Sequence, residues 1–249
     1  KKFMAAFLVG DDSASVSFLK RKEKTAGEIG VDFRIYRCET SITGDELRKK
    51  IGKIVGSKAC GGAIVQLPLP KSLNTQYILN AIPREKDVDV LGERALGALY
   101  TDRNPVLPPA VGTVEKILKD GSHELKVSKV VVIGRGLLVG RPIALWLMGQ
   151  VAELAVFTSK TEDMESKLKN YDIIITGVGK AGLIKPEQLK EDAIVIDFGY
   201  DEVDGKMHGD FDASSSLPSL LSFTPTPGGT GPLLVARLFQ NFYTLNEGR

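Results

Sequence analysis

The chain has 249 residues, 43% apolar and 26% charged, enough for a packed core in one large domain or two small ones. Lys+Arg number 33 and Asp+Glu 31, and the resulting net charge of +2 gives no general pull toward nucleic acid or an anionic membrane. Two cysteines, Cys38 and Cys60, and two histidines, His123 and His208, argue against a disulfide framework, a four-cysteine zinc site or a His-rich metal centre. Catalysis is therefore expected from Lys, Asp, Gln, the backbone and a cofactor, with no metal.

Phe3 to Val9 reads as a buried strand, and Ser15 to Gly30 as a helix ending at a glycine. Asp32 to Arg37 is a second strand. Thr43 to Ser57 is a helix with apolar positions at Leu47, Ile51, Ile54 and Val55. Gly62 to Leu67 is a third strand, Thr75 to Ile82 a short helix, and Gly97 to Pro109 a Gly- and Pro-containing loop. Val111 to Lys119 reads as a helix leading into a second unit, where the alternation restarts. Lys129 to Ile133, Glu153 to Thr158, Asp172 to Thr176 and Ala193 to Phe198 read as strands. Val139 to Gly149, Met164 to Asn170 and Leu233 to Leu245 read as helices. This order predicts an α/β fold with parallel sheets and crossover helices.

No apolar run reaches the roughly 18 to 20 residues that span a bilayer. No basic-then-apolar leader opens the chain, which starts on a strand without an initiator Met and points to a trimmed N-terminus. The expected setting is the cytoplasm, or an organelle matrix if a transit segment is missing.

Gly134, Gly136 and Gly140 follow a Val/Ile-rich strand and precede a helix that opens Gly140-Arg141-Pro142. Their G-x-G-x-x-x-G spacing is one residue longer than the usual dinucleotide fingerprint. Glycines let a backbone approach a pyrophosphate, and the following helix offers free N–H donors. A tight strand–helix turn without a ligand is the alternative. The next strand ends at Phe157-Thr158-Ser159-Lys160. An NAD site often places an acid there for the ribose 2′-hydroxyl. With no acid there, a hydroxyl at Ser159, and cations at Lys160 and Arg135, NADP is preferred over NAD.

Ser15, Phe18 and Lys22 are spaced i, i+3, i+7 and fall within about 60° on one helical face. A lysine desolvated beside a ring would have a lowered pKa and could serve acid–base chemistry. A snorkelling surface lysine is the alternative. Gln66 lies at a strand end, where open parallel sheets gather ligands, followed by Pro68-Leu69-Pro70. Asp87 and Asp89 would share one side if their segment were extended, and could bind an amino-heterocycle or cap a turn. The stretch from Thr224 to Pro232 carries Pro225, Pro227, Gly228, Gly229 and Gly231, suiting a rigid loop against a ligand or a structural turn.

Together these segments resemble the methylenetetrahydrofolate dehydrogenase/cyclohydrolase family of the bifunctional FolD type, almost end to end from Ala5 to Asn241. The most specific piece is Val65-Gln66-Leu67-Pro68-Leu69-Pro70 followed by Glu85-Lys86-Asp87-Val88-Asp89. Gly134-Arg135-Gly136-Leu137-Leu138-Val139-Gly140-Arg141-Pro142 resembles the family's G-R-S-x-x-V-G-x-P. Ser159-Lys160-Thr161, Val178-Gly179, Asp197-Phe198-Gly199 and the proline–glycine loop resemble later segments. The resemblance implies two domains around a cleft. Residues 1–110, with the closing helix 233–249, would bind folate, and 111–232 would form the Rossmann-type NADP domain. It implies NADP-dependent oxidation of 5,10-methylenetetrahydrofolate, hydrolysis of the methenyl product to 10-formyltetrahydrofolate, and a homodimer.

In that reading Lys22 is the central catalytic group, Gln66 tunes it and Asp89 holds the pterin. Ser15, Phe18, Val65, Leu67, Pro68, Pro227, Gly228 and Gly229 would contact the folate. Gly134, Arg135, Gly136, Val139, Gly140, Pro142, Ser159, Val178, Gly179 and Thr230 would contact the cofactor. The chain departs from the family pattern at Phe18 (Tyr in the family), Leu107-Pro108-Pro109-Ala110 (no Thr), Val90 (Gly), Gly136 (Ser) and Thr230 (Val). Retention of one activity only, or a catalytically weak folate- or nucleotide-binding homologue, are the competing readings.

Overall fold

The computed structural model describes residues 2–214 and 216–247. It divides into two compact units, Lys1–Pro109 with Val235–Arg249, and Ala110–Leu234.

In the first unit β1 (Phe3–Val9) is buried at every position and forms the middle of a parallel three-stranded sheet. α1 (Ser13–Glu28) follows, its N-terminus capped by Asp12, whose carboxylate accepts from the Ser15 amide at 2.8 Å. Ser15, Leu19 and Ala26 form its buried stripe, and Lys22 falls on the same side by helical spacing. β2 (Asp32–Cys38) pairs with one edge of β1. α2 (Gly44–Val55) starts from a capping box between Thr43 and Glu46 and buries Leu47, Ile51 and Val55. β3 (Cys60–Val65) pairs with the other edge of β1, so the strand order is β2-β1-β3. α3 (Thr75–Leu79) and α4 (Glu93–Tyr100) complete this stretch.

α4 corrects the expectation of a loop from Gly97: the segment 93–100 is helical because Ala95, Ala98 and Leu99 recur at helical spacing and turn inward, outweighing one interior glycine. A second correction concerns Asp87 to Asp89. The segment does not continue as a strand that shares its carboxylates on one side, because Val90 turns it with a φ of 58°.

α5 (Pro109–Asp120) leads into the second unit, whose sheet comprises β4 (Lys129–Ile133), β5 (Glu153–Phe157), β6 (Ile173–Thr176), β7 (Ile194–Asp197) and β10 (Ser222–Phe223). α6 (Gly140–Leu147) and α7 (Met164–Leu168) are its crossovers. All pairings are parallel in the order β10-β7-β6-β4-β5. Val131, Ile133, Ile174, Val195, Phe157 and Phe211 belong to one core cluster. The hairpin β8 (Asp201–Val203) and β9 (Lys206–His208) and the short β10 were not expected from the sequence.

α8 (Thr230–Thr244) starts in the second unit and continues into the first. There Leu238, Phe239, Phe242 and Leu245 are buried, with the Phe239 ring 6.0 Å from that of Phe33. No helix among the described residues is long and apolar enough to cross a membrane.

Candidate active site

Strand order changes direction beside the first strand of each unit, and ligands of open parallel sheets gather outside the strand ends at such points. In the first unit the reversal lies between β1 and β3. Gln66 follows β3 directly, and its amide still donates to the Phe7 carbonyl at 2.8 Å, so the ladder positions it. Lys22 Nζ donates to Gln66 Oε1 at 3.1 Å. Gln66 Nε2 donates to the Leu67 carbonyl at 2.8 Å, which orients the amide with its oxygen toward the lysine. Gln66 is 8% exposed. Burial pulls the Lys22 pKa below its usual value, and the negative charge of Asp89 partly opposes this. Asp89 moves the other way: burial raises its pKa and Lys22 restrains the rise. Both groups are thereby brought nearer their neutral forms. The Asp89 carboxylate accepts no hydrogen bond from a described residue.

Phe18, 37% exposed, presents its ring at the surface of α1, with the Arg21 guanidinium 5.6 Å from its centre. Ser15 is buried, and its hydroxyl makes no hydrogen bond of good geometry. Val65 is buried at the end of β3, while Pro68 is exposed and follows a cis peptide from Leu67. Asp87 is not a free ligand group. It is buried, accepts from the Leu91 and Gly92 amides, and burial, helped by the Asp89 charge, raises its pKa to about 6. A separate cavity of about 650 Å³ in this unit is lined by Arg84, Arg94 and Arg103 and touches none of these groups.

In the second unit the reversal lies between β4 and β6. Gly134 leaves β4 with a φ of 98°, which a side chain rarely adopts. At Gly140 a methyl group would run into the Gly134 carbonyl, so the turn closes on the start of α6 with backbone only. The side chain of Val178 packs beside Gly134, bringing the turn after β6 to the glycine turn. Val139 packs against Gly177, and Pro142 is buried in the first turn of α6. Gly136 is exposed, with nothing within 4 Å of a would-be side chain.

Two buried acids that the sequence reading passed over as site supports hold these turns. Asp210 accepts from the Thr176 hydroxyl at 2.6 Å and from the amides of Val178, Gly179 and Lys180 at 2.7, 2.9 and 2.7 Å. Asp197 ends β7 and accepts from the Gly199 and Phe211 amides at 2.6 and 2.9 Å. Burial nevertheless raises its pKa to about 6. The Asp197 amide donates to Thr224 Oγ1, and its carbonyl accepts from the Thr230 hydroxyl at 2.8 Å. Thr230 therefore anchors the proline–glycine loop. Pro227 and Gly228 are exposed on that loop, and the Gly229 amide donates to the Pro225 carbonyl at 2.8 Å.

These features test the fit of a dinucleotide. The glycine cradle at α6 offers backbone N–H groups to a pyrophosphate. Arg135, Ser159 and Lys160 are exposed, and neither cation has an ion-pair partner among the described residues, as a 2′-phosphate site requires. The residues present fit the group. No cluster of three metal-ligating side chains occurs among the described residues.

Comparison with known proteins gives two family matches. One is "Tetrahydrofolate dehydrogenase/cyclohydrolase, NAD(P)-binding domain", over residues 108–249; the other is the catalytic domain of the same family, over residues 1–89. A "Bifunctional protein FolD" of Staphylococcus aureus is 36% identical over 239 residues, 96% of this chain and 84% of that protein. The crystal structure of FolD from Campylobacter jejuni, a methylenetetrahydrofolate dehydrogenase/cyclohydrolase, superposes with a TM-score of 0.92 at 33% identity, covering 98% of this chain and 88% of the other. The Trypanosoma brucei enzyme, solved with NADP and an inhibitor, gives 0.91 at 28% identity, covering 98% and 86%.

Proposed function

The chain belongs to the tetrahydrofolate dehydrogenase/cyclohydrolase family, and we propose that Lys22, Gln66 and Asp89 carry that family's chemistry in this protein. It oxidises 5,10-methylenetetrahydrofolate with NADP and hydrolyses the 5,10-methenyl product to 10-formyltetrahydrofolate. The observation that carries the assignment of residues is the Lys22–Gln66 hydrogen bond beside Asp89 at the strand-order reversal of the first unit.

When bound, NADP supplies the acceptor for the hydride that leaves the methylene carbon. The protein's part in that step is positioning. Phe18 offers a ring for the aromatic portion of the folate, and Asp89, with an unused carboxylate, accepts from the pterin's amino and ring N–H groups. Hydrolysis asks more of the side chains. Water adds to the electron-poor methenyl carbon, and its proton needs an acceptor. A Lys22 amine made available by its lowered pKa takes that proton, and Gln66 Oε1 holds the resulting ammonium.

We read residues 1–110 with residues 233–249 as the folate-binding domain and 111–232 as the NADP-binding domain. A homodimer is supported by β5, an edge strand whose Val156 is 44% exposed. An unpaired, apolar edge favours pairing with another chain. A cytoplasmic setting suits Cys38 and Cys60, both free thiols.

The test is direct. Purified protein is given methylenetetrahydrofolate with NADP or with NAD, and separately methenyltetrahydrofolate alone, while absorbance follows the methenyl species. Formation with NADP and decay without cofactor are expected. Folate binding with no turnover in either arm would leave a binding protein.

A further inference from the structure

The segment from Asp87 to Gly92 contains a conformation that its own sequence disfavours. Val90 is wholly buried and has a φ of 58°. A β-branched residue there is a steric outlier and persists only where its surroundings over-determine it. Two clamps do so. Oδ2 of Asp87 accepts from the amides of Leu91 at 3.0 Å and Gly92 at 2.8 Å, bridging the turn from within. Asp87 is itself fixed by a parallel bridge to Ala63 of β3 and by its amide donating to the Arg84 carbonyl at 3.3 Å. On the other side Asn241, buried on α8, donates from Nδ2 to the carbonyls of Val88 at 2.9 Å and Leu107 at 2.7 Å. Asp89 lies between the clamped residues, and its carboxylate is the one left for a ligand.

We propose that Asp87, assisted by Asn241, is a positioning residue that holds Val90 in the left-handed turn and so presents Asp89 to the substrate beside Lys22. Asp87 does not touch substrate, since it is buried and its carboxylate is engaged by the turn it closes. The proposal rests on the folate reading of Lys22 and Asp89 and adds the residues that impose their geometry.

The turn can be tested by rescue. Glycine adopts this φ without help, so Val90→Gly should remove the need for the clamp. In Asp87→Asn, KM for methenyltetrahydrofolate should rise about 10-fold with a smaller change in kcat. Adding Val90→Gly should return KM to within about 3-fold of the parent, a coupling expected of residues in one network. A purely structural role predicts lower kcat from lost folded protein, unchanged KM and no rescue, and that result would overturn the proposal. Thermal stability is not the readout, because removing a buried valine side chain offsets the relief of strain.

Amide hydrogen exchange at Leu91 and Gly92 supplies a measurement independent of folate chemistry. Exchange should accelerate in Asp87→Asn with Val90 present and much less with glycine there. Equal acceleration in both backgrounds overturns the clamp. A parent protein without turnover counts against the functional reading, while exchange still decides the turn. Should Asp87→Asn not fold, Asn241→Ala removes the second clamp and takes the same measurements.

Discussion

Both units place their candidate chemistry where strand order reverses, yet they build it from different parts of the polypeptide. The first unit uses side chains: Lys22 from α1, Gln66 after β3 and Asp89 beyond it, all partly removed from water, with the lysine and aspartate drawn toward their neutral forms. The second uses main chain: glycines where Cβ atoms would collide, amides held by Asp210, and a helix start. The difference follows from the ligands. A pyrophosphate carries its charge permanently and needs only fixed N–H donors at close range. Water attack on a methenyl carbon releases a proton, so a titratable group must stand ready with a shifted pKa. The acids of the second unit therefore support the backbone, while those of the first include one left open to a ligand.

This contrast can be broken most sharply at Lys22. Lys22→Met should lower hydrolysis of methenyltetrahydrofolate by about 10²- to 10⁴-fold and leave NADP affinity near normal, as read by absorbance and cofactor titration. Unchanged hydrolysis would remove the lysine from the mechanism. The complementary change is Gly140→Ala. The clash with Gly134 should cost about 1–3 kcal/mol of strain, weakening NADP roughly 10- to 100-fold, while the cofactor-independent hydrolysis falls much less.

A finer test uses charge. Gln66→Glu places a carboxylate against Lys22, stabilises the ammonium and should move the acidic limb of the hydrolysis pH profile upward; a downward move would contradict the base role. Next in size, Arg135→Ala and Lys160→Ala should each reduce the preference for NADP over NAD by a few-fold, about 1 kcal/mol, with NAD kinetics little altered. The smallest effect concerns Asp197. Its raised pKa of about 6 means that the native state holds a proton the unfolded chain releases between about 4 and 6, so its contribution to stability is present at low pH and is lost as pH rises through 6. Asp197→Asn should flatten that part of the stability–pH curve by at most about 3 kcal/mol, measured by denaturant unfolding.

Much of the fold was legible because the strands are continuous apolar runs: Phe3 to Val9 and Lys129 to Ile133 coincide with β1 and β4. α4 was hidden by Gly97 and the prolines after it. The β8–β9 hairpin was hidden because its residues are mostly polar and half or fully exposed, although Asp204-Gly205, both at positive φ, is a strong hairpin signal. In the site, Lys22 and Gln66 were visible from helix face and strand end. Asp210 and Asn241 were not. Their partners lie 30 to 34 and 134 to 153 residues away, so no local pattern marks them.

The amino-acid order by itself determined the α/β alternation, the face of α1 that carries Lys22, and the glycine spacing after β4, because sterics and periodicity act over a few residues. Tertiary structure decided the rest: which strands neighbour one another, which carboxylates are engaged and which is left open, and how far Lys22 and Asp89 depart from their ordinary protonation. Those outcomes depend on desolvation and on hydrogen bonds from residues remote in the chain. A valine at a left-handed position, with its clamps at Asp87 and Asn241, becomes intelligible only at that level.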